Sequence, residues 1–283
     1  YDHRVTSDPA DGGTADISII LPSSGQSTVV VAQEGPDGNP KWSPDGTQLA
    51  FETAMGKPFF YFQNSVIATI SMGSTTAKPL TDAFDENPNL IAWTKSGIHF
   101  SASQRTWSYL FTLNPVSKQI TKHAVRDQWI GAGYALSADG TRAAFTASSP
   151  TEFPDVYLAP LSTMSATKIS RAGDQIAAWP KHAREVFRWK SQDGAEIEGV
   201  LHKPADFQQG RRYPLLVVIH GGPTGVSRPT PHGRGRTHPV DLFLAQGAPV
   251  LPPNYRRRAG HRGEVRAVDV PNPGLRRSGG GAV

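Results

Sequence analysis

The residues best placed to do chemistry stand at His220-Gly221-Gly222-Pro223. Two successive glycines have no side chains, so their backbone N–H groups can come close to a bound group. Donors of that kind stabilise the oxyanion of a tetrahedral intermediate when they sit where its charge develops. His220 reads as a structural residue or loop anchor, not as a base. A plain tight turn accounts for the same four residues, so the motif alone decides little. Other chemistry is poorly supplied. The chain has no cysteine, which excludes disulfides, thiolate metal sites and a cysteine nucleophile. His99 and His123 have no partner at ligand spacing and read as satisfied strand residues. Asp45 and Asp139 stand in Asp-Gly turns and read as turn-fixing residues.

The Gly-Gly pair follows Leu215-Leu-Val-Val-Ile219, a continuous apolar run expected to be a strand buried on both faces of a mostly parallel sheet. Val240 to Gln246 reads as a short helix with Gly247 after its end. Ala248 to Leu251 reads as the next strand and leads to Asn254-Tyr-Arg256. Strand, Gly-rich loop, helix and strand open an α/β unit. Upstream, Val186 to Lys190 and Ile197 to His202 read as a hairpin around Asp193-Gly194, after a weakly structured link from Ala177 to Arg184.

The first two thirds repeat. Trp42-Ser-Pro-Asp-Gly-Thr-Gln-Leu-Ala-Phe51, Trp93-Thr-Lys-Ser-Gly-Ile-His-Phe100 and Leu136-Ser-Ala-Asp-Gly-Thr-Arg-Ala-Ala-Phe145 align in phase. Each sets a tight polar turn between extended runs, a hairpin pattern. A further extended run follows each: Phe59 to Ile70, Tyr109 to Leu113, and Val156 to Leu161. Each unit closes on a similar pair, Leu80-Thr81, Ile120-Thr121 or Ile169-Ser170. Four short strands recurring at about 40–50 residues are the pattern of a β-propeller blade. Asp16 to Val31 reads as the end of an earlier blade. The expected fold is therefore a partial β-propeller of about four blades over residues 1–175. The alternative is a non-repeating β-sandwich. Trp42 and Trp93 are expected to fill core between blades.

Composition agrees with many turns and short strands: 28 glycines and 24 prolines in 283 residues. The formal charge of +5 is local. Residues 226–283 hold ten arginines against three acids, while the rest is slightly acidic. An arginine-rich tail can bind phosphates, but it has few aromatics for base stacking, so no nucleic-acid partner is expected. No apolar run reaches the length of a membrane span, and no targeting leader is visible, which leaves the compartment open.

Taken together, the chain resembles the prolyl oligopeptidase family of serine peptidases, closest to its acylaminoacyl-peptidase and dipeptidyl-peptidase-like members. The repeats resemble its propeller. Glu185 to Asp193-Gly194, Ile197-Glu-Gly199 and Pro204 resemble the opening of its hydrolase domain. Tyr213-Pro-Leu-Leu-Val-Val-Ile-His-Gly-Gly-Pro223 is the most specific stretch, continued by Phe243-Leu-Ala-Gln-Gly247 and Asn254-Tyr-Arg256. The resemblance implies a partial propeller followed by the first strands of an α/β-hydrolase domain over residues 176–283. It implies acyl transfer from short peptides through a serine. It makes Gly222, with Gly221 beside it, the backbone oxyanion donors, and puts Asn254, Tyr255 and Arg256 in the substrate-binding wall. No cofactor, metal or membrane partner is expected, and oligomeric state is left open.

The sequence also departs from that family. Its nucleophile sits in a Gly-x-Ser-x-Gly elbow, with aspartate and histidine later in the chain. These residues contain no such elbow; Gly225-Val-Ser-Arg-Pro229 lacks the second glycine. The chain itself is therefore expected to be an inactive fragment of a peptidase. A non-catalytic module that binds a peptide or protein partner is the alternative. From about residue 252 the tail turns rich in Arg, Gly and Pro. That change is expected of a frame shift there, or earlier at Pro231-His-Gly-Arg-Gly-Arg236.

Overall fold

A computed structural model of the chain describes residues 1–4, 15–57, 60, 63–126, 128–176, 178–179, 182–219, 225–231 and 239–255. The N-terminal strands β1 (Asp2–Arg4), β2 (Ala15–Ile20) and β3 (Ser27–Val31) form an antiparallel sheet in that order. Three four-stranded antiparallel meanders follow. The first is β4 (Asp37–Trp42), β5 (Gln48–Thr53), β6 (Val66–Ser71) and β7 (Lys78–Pro79). The second is β8 (Pro88–Thr94), β9 (Gly97–Gln104), β10 (Trp107–Leu113) and β11 (Ile120–His123). The third is β12 (Ile130–Leu136), β13 (Arg142–Ser148), β14 (Asp155–Pro160) and β15 (Thr167–Lys168). A parallel pairing of Ser108 with Ile130 joins the second meander to the third. No sheet closes on itself among the described residues.

The turn residues explain the hairpins. Asp45 Oδ1 accepts hydrogen bonds from Ser43 Oγ (2.6 Å), Thr47 N (3.0 Å) and Thr47 Oγ1 (2.8 Å). Asp139 repeats this set with Ser137 and Thr141. These bonds, led by the serine hydroxyl, hold both carboxyls down at about 2. Gly46 (φ 70) and Gly140 (φ 69) supply the left-handed residue that each turn needs. The first strand of each meander also carries a register shift: Gly38/Lys41, Leu90/Ala92 and Ala132/Ala135. Nothing in the repeat pattern announces these bulges, which twist a strand locally.

Alternation along the strands sends side chains to two faces, and both are buried. Leu49 and Phe51 join Ile17, Val31, Ala68 and Ile70 in one core, while Ala50, between them, joins the next. Leu110 packs with Trp129, Phe145 and Tyr157, whereas Tyr109 and Phe111 pack with Phe100 and Ile98. Successive sheets therefore stack face to face, with a core at each junction. Each fully buried Phe or Leu contributes roughly 1.5–3 kcal/mol. Trp93 packs against such a core. Trp42 does not: it is 46% exposed and lines a shallow groove with Tyr1, Ile19 and Pro40. The expected core role for Trp42 fails: it is the last residue of β4, on the exposed end of a strand whose first residue, Asp37, is buried.

Asp155, buried in β14, accepts from Ser170 Oγ (2.6 Å) and Ala172 N (2.7 Å), pinning the chain as it leaves the third meander. After a short 3-10 turn at Ala172–Ile176 comes a mixed sheet. It contains β16 (Ala183–Lys190), β17 (Glu196–Lys203), β18 (Leu216–Val217), β19 (Val250–Leu251) and β20 (Pro253–Asn254). The order is β16-β17-β19-β18, with β20 also on β17. The helix α1 (Val240–Ala245) ends at Gly247, φ 82, whose N–H donates to Leu244 O. The strand expected at 215–219 is shorter than its apolar run. Leu215 and Ile219 are 48% and 68% exposed, because no described element covers them. No helix among the described residues is long and apolar enough to cross a membrane.

Candidate active site

The parallel pair β18–β19 sets the site's frame. Leu216 pairs with Val250 and Val217 with Leu251, so both strands run towards the same end of the sheet. At that end lie residues 218–219 of one and 252–255 of the other. His220 to Thr224 follow β18 in sequence, and Gly221 and Gly222 lie outside the described residues. So does Arg256. The chain is described again from Gly225 to Pro231.

Asn254 joins the two stretches. It is 1% exposed. Its Oδ1 accepts from Ser227 N at 2.7 Å, and its Nδ2 donates to Ser227 O at 2.9 Å. One side-chain amide thus pairs both backbone groups of a loop residue, much as a neighbouring strand would. The backbone of the preceding prolines is used too: Val200 N donates to Pro252 O at 3.1 Å. The two prolines lose donors but keep this acceptor, so β19 and β20 both stay on β17. Tyr255 stands next to Asn254, half-buried.

Glu198 pairs with Asn254 across β17 and β20. It is 1% exposed, and burial pushes its carboxyl up against the opposing pull of Arg105 and Arg188. Its Oε2 faces Arg188 Nε at 3.4 Å, and its Oε1 has no hydrogen-bond partner among the described residues. His202, also on β17, is held down at about 4 by burial first and then by the charge of Arg184. On the residue after Ser227 in the loop, Arg228 Nη1 donates to Thr106 O (3.1 Å) and Nη2 to Ser103 Oγ (2.6 Å). Arg105, in the same turn between β9 and β10, bonds Glu196 at 2.7 Å. Sequence reasoning singled out Asn254, which the structure places against Ser227, and the Gly-Gly pair, which lies outside the described residues. It missed Arg228 and Arg105, whose partners lie 91 or more residues away in the chain, and Glu198 on β17.

No protein-family model matches the chain. It is 26% identical over 266 residues to a probable dipeptidyl-peptidase 5 of Emericella nidulans, covering 91% of this chain and 35% of that protein. Among solved structures it superposes on an acylaminoacyl peptidase in complex with Z-Gly-Gly-Phe-chloromethyl ketone. The TM-score is 0.71 at 16% identity, over 93% of this chain and 39% of that one. These likenesses are to peptidases of the prolyl oligopeptidase kind. A dipeptidyl peptidase 4 of Porphyromonas gingivalis superposes with a TM-score of 0.67 at 15% identity, over 90% of this chain and 36% of that one. The chain therefore spans a little over a third of the length of each of these peptidases.

Proposed function

We propose that this chain is part of a serine-type exo- or oligopeptidase that hydrolyses short peptides by acyl transfer. Residues 1–175 are its partial propeller, with the three meanders as blades and β1–β3 as part of a fourth. Residues 176–283 are the first part of its α/β-hydrolase domain, with an atypical tail from about 252. The observation that carries the reading is the sheet order β16-β17-β19-β18 with its parallel pair. The Gly-Gly pair follows the carboxyl end of β18 in sequence, and open α/β sheets bind ligands at the carboxyl ends of their parallel strands. Face-to-face stacking of the meanders supports the propeller.

In this reading Gly221 and Gly222 donate backbone N–H groups to the oxyanion. Asn254 holds the loop behind them, and Tyr255 and Arg256 border the substrate. The nucleophile, acid and base of a triad are not among these residues. The 283-residue polypeptide alone is therefore inactive, and acyl transfer through a serine asks for no cofactor.

The test is to incubate the polypeptide with a fluorophosphonate probe and with dipeptidyl and acyl-aminoacyl chromogenic substrates. Neither covalent label nor turnover is expected. Stoichiometric labelling of one serine with turnover would overturn the inactive assignment. Tight binding of a peptide without any catalytic partner sequence would favour the alternative, a non-catalytic binding module.

A further inference from the structure

His99, on β9, is fully buried, and both its ring nitrogens have partners. Nε2 lies 2.8 Å from Thr94 Oγ1 and 3.1 Å from Ser96 Oγ, and Nδ1 lies 3.0 Å from Thr112 Oγ1. Thr112 Oγ1 is in turn 2.7 Å from Nε2 of His123, which is half-buried on β11. Both ends of this chain of bonds leave the second meander for the third. Ser96 Oγ donates to Gly140 O at 3.0 Å. His123 bonds the backbone of Leu161, and that bond favours the protonated ring, so the ring donates and the carbonyl accepts. With Nε2 on Thr112, Nδ1 is the nitrogen left for Leu161. The two carbonyls stand at the same end of the third meander, because Leu161 N donates to Thr141 O at 2.8 Å.

A hydroxyl carries one proton and a neutral imidazole one, so the donor count sets the order of the chain. With both rings neutral, His123 Nδ1–H serves Leu161 and Nε2 accepts. Thr112 then donates to His123, His99 Nδ1–H donates to Thr112, and Thr94 donates to His99 Nε2. Ser96 spends its proton on Gly140 O and receives none from Thr94, 2.9 Å away. One more proton changes every step. A cationic His123 donates at both nitrogens, Thr112 turns its proton to His99 Nδ1, His99 holds its own on Nε2, and Thr94 turns to Ser96. Ser96 Oγ then accepts while it donates, which polarises its bond to Gly140 O. We propose that His123, Thr112 and His99 form a proton-responsive joint between the second and third meanders, in which one proton taken from solvent by His123 reverses the donor order and moves the His99 proton from Nδ1 to Nε2. Little other charge reaches the joint. Among the described residues the charge that acts on His99 is that of His123, and none acts on His123. Lys95, Lys122, Asp139 and Arg142, the charged residues beside its members, are all exposed. Lys122 is turned to Gln104 Oε1 (2.9 Å) and the Tyr109 ring, and Asp139 to Ser137 and Thr141. Burial holds His123 below its ordinary value of 6.5 against the pull of Leu161, so the neutral order is the one at pH 7.

The experiment is NMR of the full 283-residue chain with 15N-labelled histidine, read from about pH 8 downward. The ring-nitrogen signals report which nitrogen of each histidine holds a proton. His99 should carry its proton on Nδ1 at the start and on Nε2 at the end, with the midpoint of the His123 titration. Thr112→Val removes the hydroxyl and keeps the side-chain shape. In that variant His123 should still titrate while His99 keeps one tautomer. Thr112→Ser returns the hydroxyl and should return the coupled change, which separates loss of the relay from loss of the fold. A His99 tautomer that does not follow His123, or follows it equally in Thr112→Val, overturns the proposal. So does a His123 ring that stays neutral down to the acid unfolding of the chain.

Discussion

Ser227 receives a backbone-like partner from a side chain, and that single substitution of partners decides what Asn254 is for. With both ends of its amide engaged on the loop, Asn254 acts by holding the chain in place. Other buried polar residues tie the fold to pH. His99 is fully buried, with Thr94 Oγ1 2.8 Å from its Nε2 and Thr112 Oγ1 3.0 Å from its Nδ1. Burial, then the neighbouring His123, holds it down at about 4; His202 is held at a similar value. Both folded-state values lie below the unfolded value of 6.5. Above that value both states are neutral and nothing changes. As pH falls from 6.5 to 4 the unfolded chain takes up protons that the folded one refuses, and stability declines. The ceiling is about 3 kcal/mol per ring. Urea unfolding at pH 7 and pH 4.5 should show this loss, and His99→Gln should lose less between the two than the wild type. An equal loss in both proteins contradicts the assignment to His99.

Elements were legible where local chemistry sets them. The three hairpins follow from tight polar turns ending in glycine and from alternating strands, and in the two Asp-Gly turns the hydrogen bonds of Asp45 and Asp139 give the physical reason. What the pattern left out depends on neighbours. Leu215 to Ile219 is apolar throughout, yet its ends are exposed, because hydrophobicity marks a preference for cover and does not supply it. The bulges, the outward Trp42 and the reach of Arg228 are set by how sheets meet, which no local spacing encodes. The two equivalent glycines make this testable. A Cβ at Gly46 would meet nothing within 4 Å, whereas one at Gly140 would lie 2.1 Å from Thr94 Oγ1. Both positions carry the left-handed cost of about 1–2 kcal/mol on substitution. Gly140→Ala should cost clearly more than Gly46→Ala in chemical denaturation, since it alone also forces the third meander off the second. Equal costs would mean that the two meanders do not dock through this turn.

Across the described residues, the β1–β3 sheet and the three meanders, the last two joined into one sheet, pack through three cores, and the mixed sheet and the loop 225–231 meet the second meander through Arg105 and Arg228. The candidate site was half legible at this scale. The order strand, helix, strand was readable from residues 215 to 255, while Gly221, Gly222 and the arginine-rich stretch from Arg256 lie outside the described residues. The central claim is that these residues belong to a serine peptidase whose nucleophile they do not contain. The most direct measurement is to sequence the encoding DNA across codon 230 and past codon 283, reading all three frames. The account predicts a Gly-x-Ser-x-Gly followed by an aspartate and a histidine, in the same frame or a shifted one. An in-frame stop after Val283 with no such motif in any frame would contradict it, and would leave peptide or partner binding as the function of the stacked sheets.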